Sequence, residues 1–294
     1  MPKSEFNAKR NEMERFLSAQ GITNAGAAWT VLDGGQTNLV WRAISDQQDV
    51  VIKLFTQGTT NPLFPNNPID EAYVLQQLDG LDIAPRLLHS IDTPVGHCLI
   101  YAHLKGMRWA KGTVGVAQML SRLHEMSGPH DLRRAPDGSD AITRQTLRIL
   151  DKCDGAGAAL MQGQRPQGCI PPSGKISLLH GDPVAGNIID HLGNLRLIDW
   201  QCPAVGDPCE DIAFFLSPAM QSIYRGAPLS DEEQHLFLST YRDQTTIARY
   251  RRLAPWYHWR TAAYYLWQVP TRGSAAREAV RLEIEALKRA HTPA

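Results

Sequence analysis

The sequence predicts an α+β chain in two lobes: a small antiparallel-sheet lobe with one main helix, then a larger, mostly helical lobe. Two observations carry this. Short segments rich in β-branched and aromatic residues, separated by Gly or polar turns, crowd the first hundred residues. From Ala110 onward helical spacing dominates, interrupted near Leu178 to Trp200 by two short apolar runs. The lobes fall at residues 1–103 and 112–294, with a hinge over 104–111 that contains Gly106. A cleft between two such lobes is a usual place for a ligand.

Taken in order, residues 29–34, 38–44 and 49–55 read as a three-stranded meander. The Asn- and Pro-rich stretch 59–68 reads as a loop, and 69–78 follows with helical spacing. Two further strands are expected over 87–91 and 97–102. Past the helices that follow, the runs on either side of Leu192 and Gly193 have the pattern of a hairpin.

Charge excludes some partners. The chain has 294 residues, and its 30 Lys and Arg equal its 30 Asp and Glu, so no net positive field gathers nucleic acid or an anionic membrane surface. The polar start, from Met1 to Phe16, lacks the apolar core of a signal peptide, and no later run approaches membrane-spanning length. Five cysteines (Cys98, Cys153, Cys169, Cys202, Cys209) include no close Cys-x-x-Cys pair, so they read as reduced thiols in a cytoplasm.

The most informative segment is residues 178–200, where Asp182, Asn187 and Asp199 stand around the expected hairpin. If 187–190 pairs with 194–198, Asn187 and Asp199 meet at the hairpin's open end. Two hard oxygen donors there suit Mg²⁺, which takes its other ligands from water and nucleotide phosphate. Asp182, in the loop just before, can accept a hydrogen bond from an attacking hydroxyl. Phosphoryl transfer is mostly positioning and charge neutralisation, so an Asp suffices as base. Singly, Asp182 and Asn187 would make an Asx turn and Asp199 a cap. The full string favours the chemical reading.

Lys53 lies on a strand beside Val51 and Phe55, where an ammonium either reaches solvent or needs an acid. Glu71 shares a helical stripe with Leu75 and Leu78 and is the candidate partner. Gly34, Gly35, Thr37 and Asn38 sit at the first strand turn. A flexible backbone there can approach phosphates, although two glycines alone make only a hairpin turn. Gly174 and Lys175 do not form a P-loop, since Ile176 follows the lysine.

His180-Gly181-Asp182, four residues, Asn187, then Ile198-Asp199-Trp200 resembles the Brenner motif of the aminoglycoside phosphotransferase and choline kinase family, distant relatives of protein kinases. The resemblance implies a bilobal, protein-kinase-like fold and an ATP- and Mg²⁺-dependent kinase acting on a small-molecule hydroxyl. It implies Asp182 as base and Asn187 and Asp199 as Mg²⁺ ligands. It also puts Lys53 on the α- and β-phosphates with Glu71 as its ion-pair acid. The stretch from Gly206 to Ala213 resembles the family's Gly-Asp-Pro-x-x-Asp-Leu-Ala element, in which the second acid, here Asp211, braces the catalytic loop. The loop 34–38 resembles the family's short Gly-x-Thr/Ser-Asn loop. Tyr101 and His103, ending the strand before the hinge, would offer backbone groups to adenine. His124 and His180 read as structural hydrogen-bonding residues.

For the acceptor, Trp256, Trp259 and Trp267, with Tyr257 and Tyr264 alongside, form an aromatic helix face, which is either core or a wall for a cationic substrate. Asp207 and Glu210 are either helix-start acids or contacts for an ammonium. The aromatic helix looks like choline and ethanolamine kinases, although Gln201 stands where those often carry Glu. An amino alcohol such as choline is therefore the first acceptor expected, an aminoglycoside or sugar-like hydroxyl the second. A nucleotide-binding pseudokinase is a third reading, against which the intact Asp182, Asn187, Asp199 and Lys53 argue.

Overall fold

The computed structural model describes residues 3–32, 37–56, 61–129 and 131–291. It has the α+β division expected, and the chain separates into two compact units, Met1–Thr60 with Asn66–Lys105, and Asn61–Pro65 with Gly106–Ala294.

The first unit is a five-stranded antiparallel sheet in the order β1-β2-β3-β5-β4. Its strands are β1 (Ala28–Val31), β2 (Leu39–Ile44), β3 (Asp49–Leu54), β4 (Leu87–Thr93) and β5 (Gly96–Ala102). β1 to β3 form the expected meander, and β5 then joins the free edge of β3, pairing Lys53 with Leu99. One face is covered by α1 (Lys3–Ala19), which sequence reading passed over as a polar terminus. Phe6, Met13, Phe16 and Leu17 recur at helical spacing and pack with Trp29, Trp41, Ile52 and Ile100. Met13 and Leu17 are fully buried. Burying each such side chain stabilises by about 1.5–3 kcal/mol, enough to dock a polar helix on a narrow stripe. α2 (Pro68–Gln77) starts where Asn67 caps the N–H groups of Ile69 and Asp70, with Pro68 in the first turn.

The second unit holds two small sheets among helices. β6 (Met107–Arg108), β8 (Ile188–His191) and β9 (Asn194–Leu197) form one, in the order β6-β8-β9; β7 (Ser177–Leu179) and β10 (Ala204–Gly206) form the other. The hairpin turn uses Leu192 and Gly193 at φ 55° and 86°, the left-handed pair of a type I′ turn. Asp190 accepts the Gly193 N–H at 2.8 Å. The expected hinge segment is partly structured: Met107 and Arg108 pair with β8, and the Trp109 N–H reaches Ile188 O at 2.9 Å.

The helices are α3 (Thr113–His124), α4 (Ser139–Leu150), α5 (Gly155–Gly163), α6 (Cys209–Leu216), α7 (Pro218–Arg225), α8 (Asp231–Thr240) and α9 (Gln244–His291). α9 is interrupted at Gly273 (φ 56°, ψ −124°). Its first part packs Trp259, Ala262 and Ala263 against Ile149, Leu150 and Met161 of α4 and α5. No helix among the described residues is long and apolar enough to cross a membrane.

Candidate active site

Residues 180–187 connect β7 to β8, and residues 198–203 connect β9 to β10. Both segments therefore cross between the same two sheets, which sets Asp182 and Asn187 beside Asp199. The Ile198 N–H donates to Asn187 O at 2.9 Å and closes the hairpin's open end.

The loop carrying Asp182 is pinned from behind. Asp211 Oδ2 accepts the His180 N–H at 2.7 Å, and its Oδ1 accepts the Gly181 N–H at 2.9 Å. His124 Nε2 lies 3.1 Å from Asp211 Oδ2, and its Nδ1 lies 2.8 Å from the Tyr241 hydroxyl. Burial opposes the charge on Asp211, yet the hydrogen bond and charge of His124, with the Gly181 N–H, hold its pKa below the usual range. Gly181 takes φ 83°, and a Cβ there would sit 2.1 Å from Cys202 O, so only glycine fits. The buried His180 ring donates through Nε2 to Ile198 O at 3.0 Å and accepts the Asp182 N–H on Nδ1 at 3.2 Å, which fixes its tautomer. His180 thus ties the two crossing segments together.

Asn187 Nδ2 donates to Asp182 O at 2.9 Å and to Asp182 Oδ2 at 3.2 Å. Its amide nitrogen is spent on Asp182, which leaves Oδ1 as the oxygen a cation could take. Asp199 is held at φ 63°, a left-handed conformation uncommon for a residue with a side chain. Burial, then the carboxylates of Asp199 and Asp211, push Asp182 up to about 8, with the Asn187 hydrogen bond opposing. Clustered carboxylates of this kind fit a divalent cation, whose charge offsets the repulsion and favours an ionised Asp182. Asn187 Oδ1 and the Asp199 carboxylate are the oxygens that would hold it, and both are of the hard type Mg²⁺ prefers.

In the first unit, Lys53 Nζ lies 2.6 Å from Glu71 Oε2, both side chains almost fully buried, with the ammonium 5.1 Å from the Phe55 ring centre. Asn38 and Asn66 exchange reciprocal amide hydrogen bonds at 2.9 and 2.8 Å, and Thr37 O accepts the Thr56 hydroxyl. These contacts tie Thr37 and Asn38 to the end of β3 and to Asn66 just before α2. Gly34 and Gly35 lie outside the described residues. Tyr101 is buried within β5. The N–H of His103 is already donated to Asp49 O at 3.1 Å, and that of Ala102 to Arg86 O at 2.9 Å. Neither N–H is left for a base.

The acids and tryptophans expected to meet the acceptor need correction. Asp207 is fully buried and pairs with Arg249 Nε at 2.6 Å while capping the Cys209 N–H. Glu210 is buried against Arg260 at 2.9 Å. Glu210 pairs with the fully buried Arg260 and Asp207 with the partly buried Arg249, the partners that carboxylates left in low dielectric require. Trp259 is fully buried and donates to Met161 O at 2.6 Å, and Trp256 is buried as well. They are core.

Tyr264 differs. Its cluster includes Val184 and Cys202 from the two crossing segments, with Tyr224 and Trp267 packed against it. The Tyr264 hydroxyl accepts from Asn61 Nδ2 at 3.0 Å, and its ring centre is 5.3 Å from Phe64 and 5.8 Å from Trp267. Tyr224 lies over Gly186, where a Cβ would come within 2.8 Å of the ring. Sequence reading missed Tyr224, Tyr241, Arg249 and Arg260, since each acts through partners distant along the chain; the one local signal was cationic and aromatic residues inside otherwise apolar helical stripes.

Residues 28–256 match the family model described as phosphotransferase enzyme family. A choline/ethanolamine kinase family protein from Mesorhizobium loti is similar in structure, with TM-score 0.67 and 16% identity over 97% of this chain and 95% of that one. Choline kinase LicA from Streptococcus pneumoniae gives 0.64 and 18% over 94% and 99%. Spectinomycin phosphotransferase, solved with ADP and spectinomycin, gives 0.60 and 14% over 95% and 97%. No protein of curated function matches the sequence. With a family match over most of its length on a sheet-then-helix fold, the chain belongs to the phosphotransferase enzyme family.

Proposed function

We propose that the chain transfers the γ-phosphoryl group of ATP to a hydroxyl of a small molecule. Asp182 is the base, Asn187 and Asp199 hold Mg²⁺, and Lys53, kept in place by Glu71, meets the nucleotide phosphates. The observation that carries the reading is the double crossing between two small sheets, which sets a carboxylate held by Asn187 beside a second carboxylate from Asp199. In the step, the acceptor oxygen bonds to the γ-phosphorus while the bridging bond to the β-phosphate breaks. ADP leaves and the hydroxyl proton passes to Asp182. Mg²⁺, when bound, neutralises charge on the phosphate oxygens. A protein that only binds nucleotide has no need to hold Asp182 in such a place, which argues against a pseudokinase.

ADP in the spectinomycin enzyme supports nucleotide use. The cationic acceptor first expected rested on Trp256 and Trp259, and both are interior. The aromatic cluster beside the catalytic loop is instead the buried Tyr264 with the partly buried Tyr224 and Trp267.

Asp182→Asn tests the base. Mg-nucleotide affinity should stay close to the parent's while turnover falls by about a hundredfold or more. Asp199→Ala should weaken nucleotide binding only when Mg²⁺ is present. Full turnover in the first variant, or a Mg²⁺ dependence of nucleotide binding in the second equal to the parent's, refutes the assignment.

A further inference from the structure

Tyr264, Gln268 and Arg272 succeed one another at intervals of four residues, so they form one face of α9. Tyr264 at one end of this row shares its cluster with Val184, two residues from Asp182. Gln268 in the middle is buried, and its Oε1 has no hydrogen-bond partner among the described residues. Arg272 at the far end is half-buried and forms no hydrogen bond or ion pair among the described residues.

Side chains on a helix lean toward its N-terminus, so the Arg272 guanidinium reaches back along this face toward the tyrosines. Electrostatics agrees with that placement. The phenols of Tyr224 and Tyr264, both raised chiefly by burial, are pushed further up by Asp182 and down by Arg272. Tyr265 is also raised chiefly by burial, with Arg272 again opposing the shift. The two tyrosines beside the loop thus lie within range of a carboxylate and a guanidinium at once. An unpaired Arg in such a place repels a cationic acceptor. It is also the side chain best shaped to take two oxygens of a carboxylate or phosphate.

We infer that the acceptor carries an oxyanion on the same molecule as its hydroxyl, held by Arg272 with the Gln268 amide alongside, while the hydroxyl faces Asp182. This deepens the phosphotransfer reading and rests on it. Carboxylate and phosphate share the recognition chemistry, so both sources belong in the test.

ATP consumption with Mg²⁺ would be followed for the full chain on paired acceptors. One set holds short hydroxy acids with and without an α-amino group, against their amides. A second holds phosphorylated sugars against the free sugars, and a third holds choline and ethanolamine. The expected result is turnover of an oxyanion acceptor with kcat/KM at least tenfold above that of its neutral counterpart, in whichever set contains it. Arg272→Gln should then raise KM for that acceptor about tenfold or more, leaving the ATP KM, the neutral counterpart and the melting temperature close to the parent's. Arg272→Lys should recover part of the loss. Preference of the parent for choline, ethanolamine or a neutral acceptor overturns the inference but leaves the phosphotransfer reading standing. Equal loss on charged and neutral acceptors in Arg272→Gln overturns it too, as the sign of a structural arginine. No turnover of any acceptor by a protein that still binds Mg-nucleotide removes the phosphotransfer reading itself.

Discussion

Asp211 grips Gly181 across 30 residues of chain: its Oδ1 accepts the Gly181 N–H at 2.9 Å while Oδ2 takes the His180 N–H next to it. A carboxylate that accepts two adjacent loop N–H groups acts as a fixed mould for the backbone that presents Asp182. Replacing it by an amide aims at least one N–H at another N–H. Asp211→Asn is expected to cost about 2 kcal/mol of stability or more, since hydrogen bonds to a charged group are worth about 1.5–3 kcal/mol each. It should lower kcat at least tenfold with a smaller change in the KM for ATP. Gly181→Ala should be worse, because a Cβ meets Cys202 O at 2.1 Å. Denaturant titration with steady-state kinetics checks both; wild-type kcat in Asp211→Asn would show that the mould is dispensable.

Lys53 and Glu71 form a buried ion pair at 2.6 Å. Removing one partner strands the other charge in the interior, at a cost of about 3–5 kcal/mol. Lys53→Met and Glu71→Leu should therefore each be strongly destabilising, and the double variant should lose much less than the sum. A double-mutant cycle on stability and on nucleotide affinity measures the coupling. Additive losses would mean that the two residues act independently.

Asp49 accepts two hydrogen bonds from Arg42, at 2.7 and 2.8 Å, and lies 3.2 Å from the His103 ring. The hydrogen bond from Arg42 lowers the Asp49 pKa, opposed by burial and helped by the charge of His103. A depressed folded-state value means that the contribution to stability is present above the unfolded value of about 3.9 and is lost as pH falls through the folded value. With both side chains more than a quarter exposed, the pair is worth about 1 kcal/mol at most. Arg42→Gln should then be destabilised by up to that amount at pH 7, and the gap from the parent should narrow below pH 4. Melting curves at both pH values would show it. A gap of constant size would assign the effect to packing of the Arg42 side chain.

The hairpin could be read from sequence because its information is local: period-two apolar runs, a Leu192-Gly193 turn and acids at fixed offsets. Lys53 and Glu71 were legible for a related reason, each breaking an apolar pattern in a way that demands a partner. α1 was not, since its apolar stripe of Phe6, Met13, Phe16 and Leu17 is thin and only the sheet beneath makes it a core element. Asp207 and Glu210 looked like acids awaiting a ligand because Arg249 and Arg260 lie about 40 to 50 residues farther along the chain. Trp256 and Trp259 misled in the same way: helical spacing shows that rings share a face but not which side of the helix the rest of the fold covers.

The two segments that carry Asp182 and Asp199 begin and end on the same pair of small sheets. The distance between Asp182 and Asp199 is therefore set by a few strand hydrogen bonds, together with the His180 clasp, and not by how tightly the long helices pack. Chemistry and overall robustness are consequently separable properties of this chain. Cavity-forming substitutions in the α4, α5 and α9 core, such as Ile149→Val, would shorten its life on heating while the molecules still folded turn over at the parental rate.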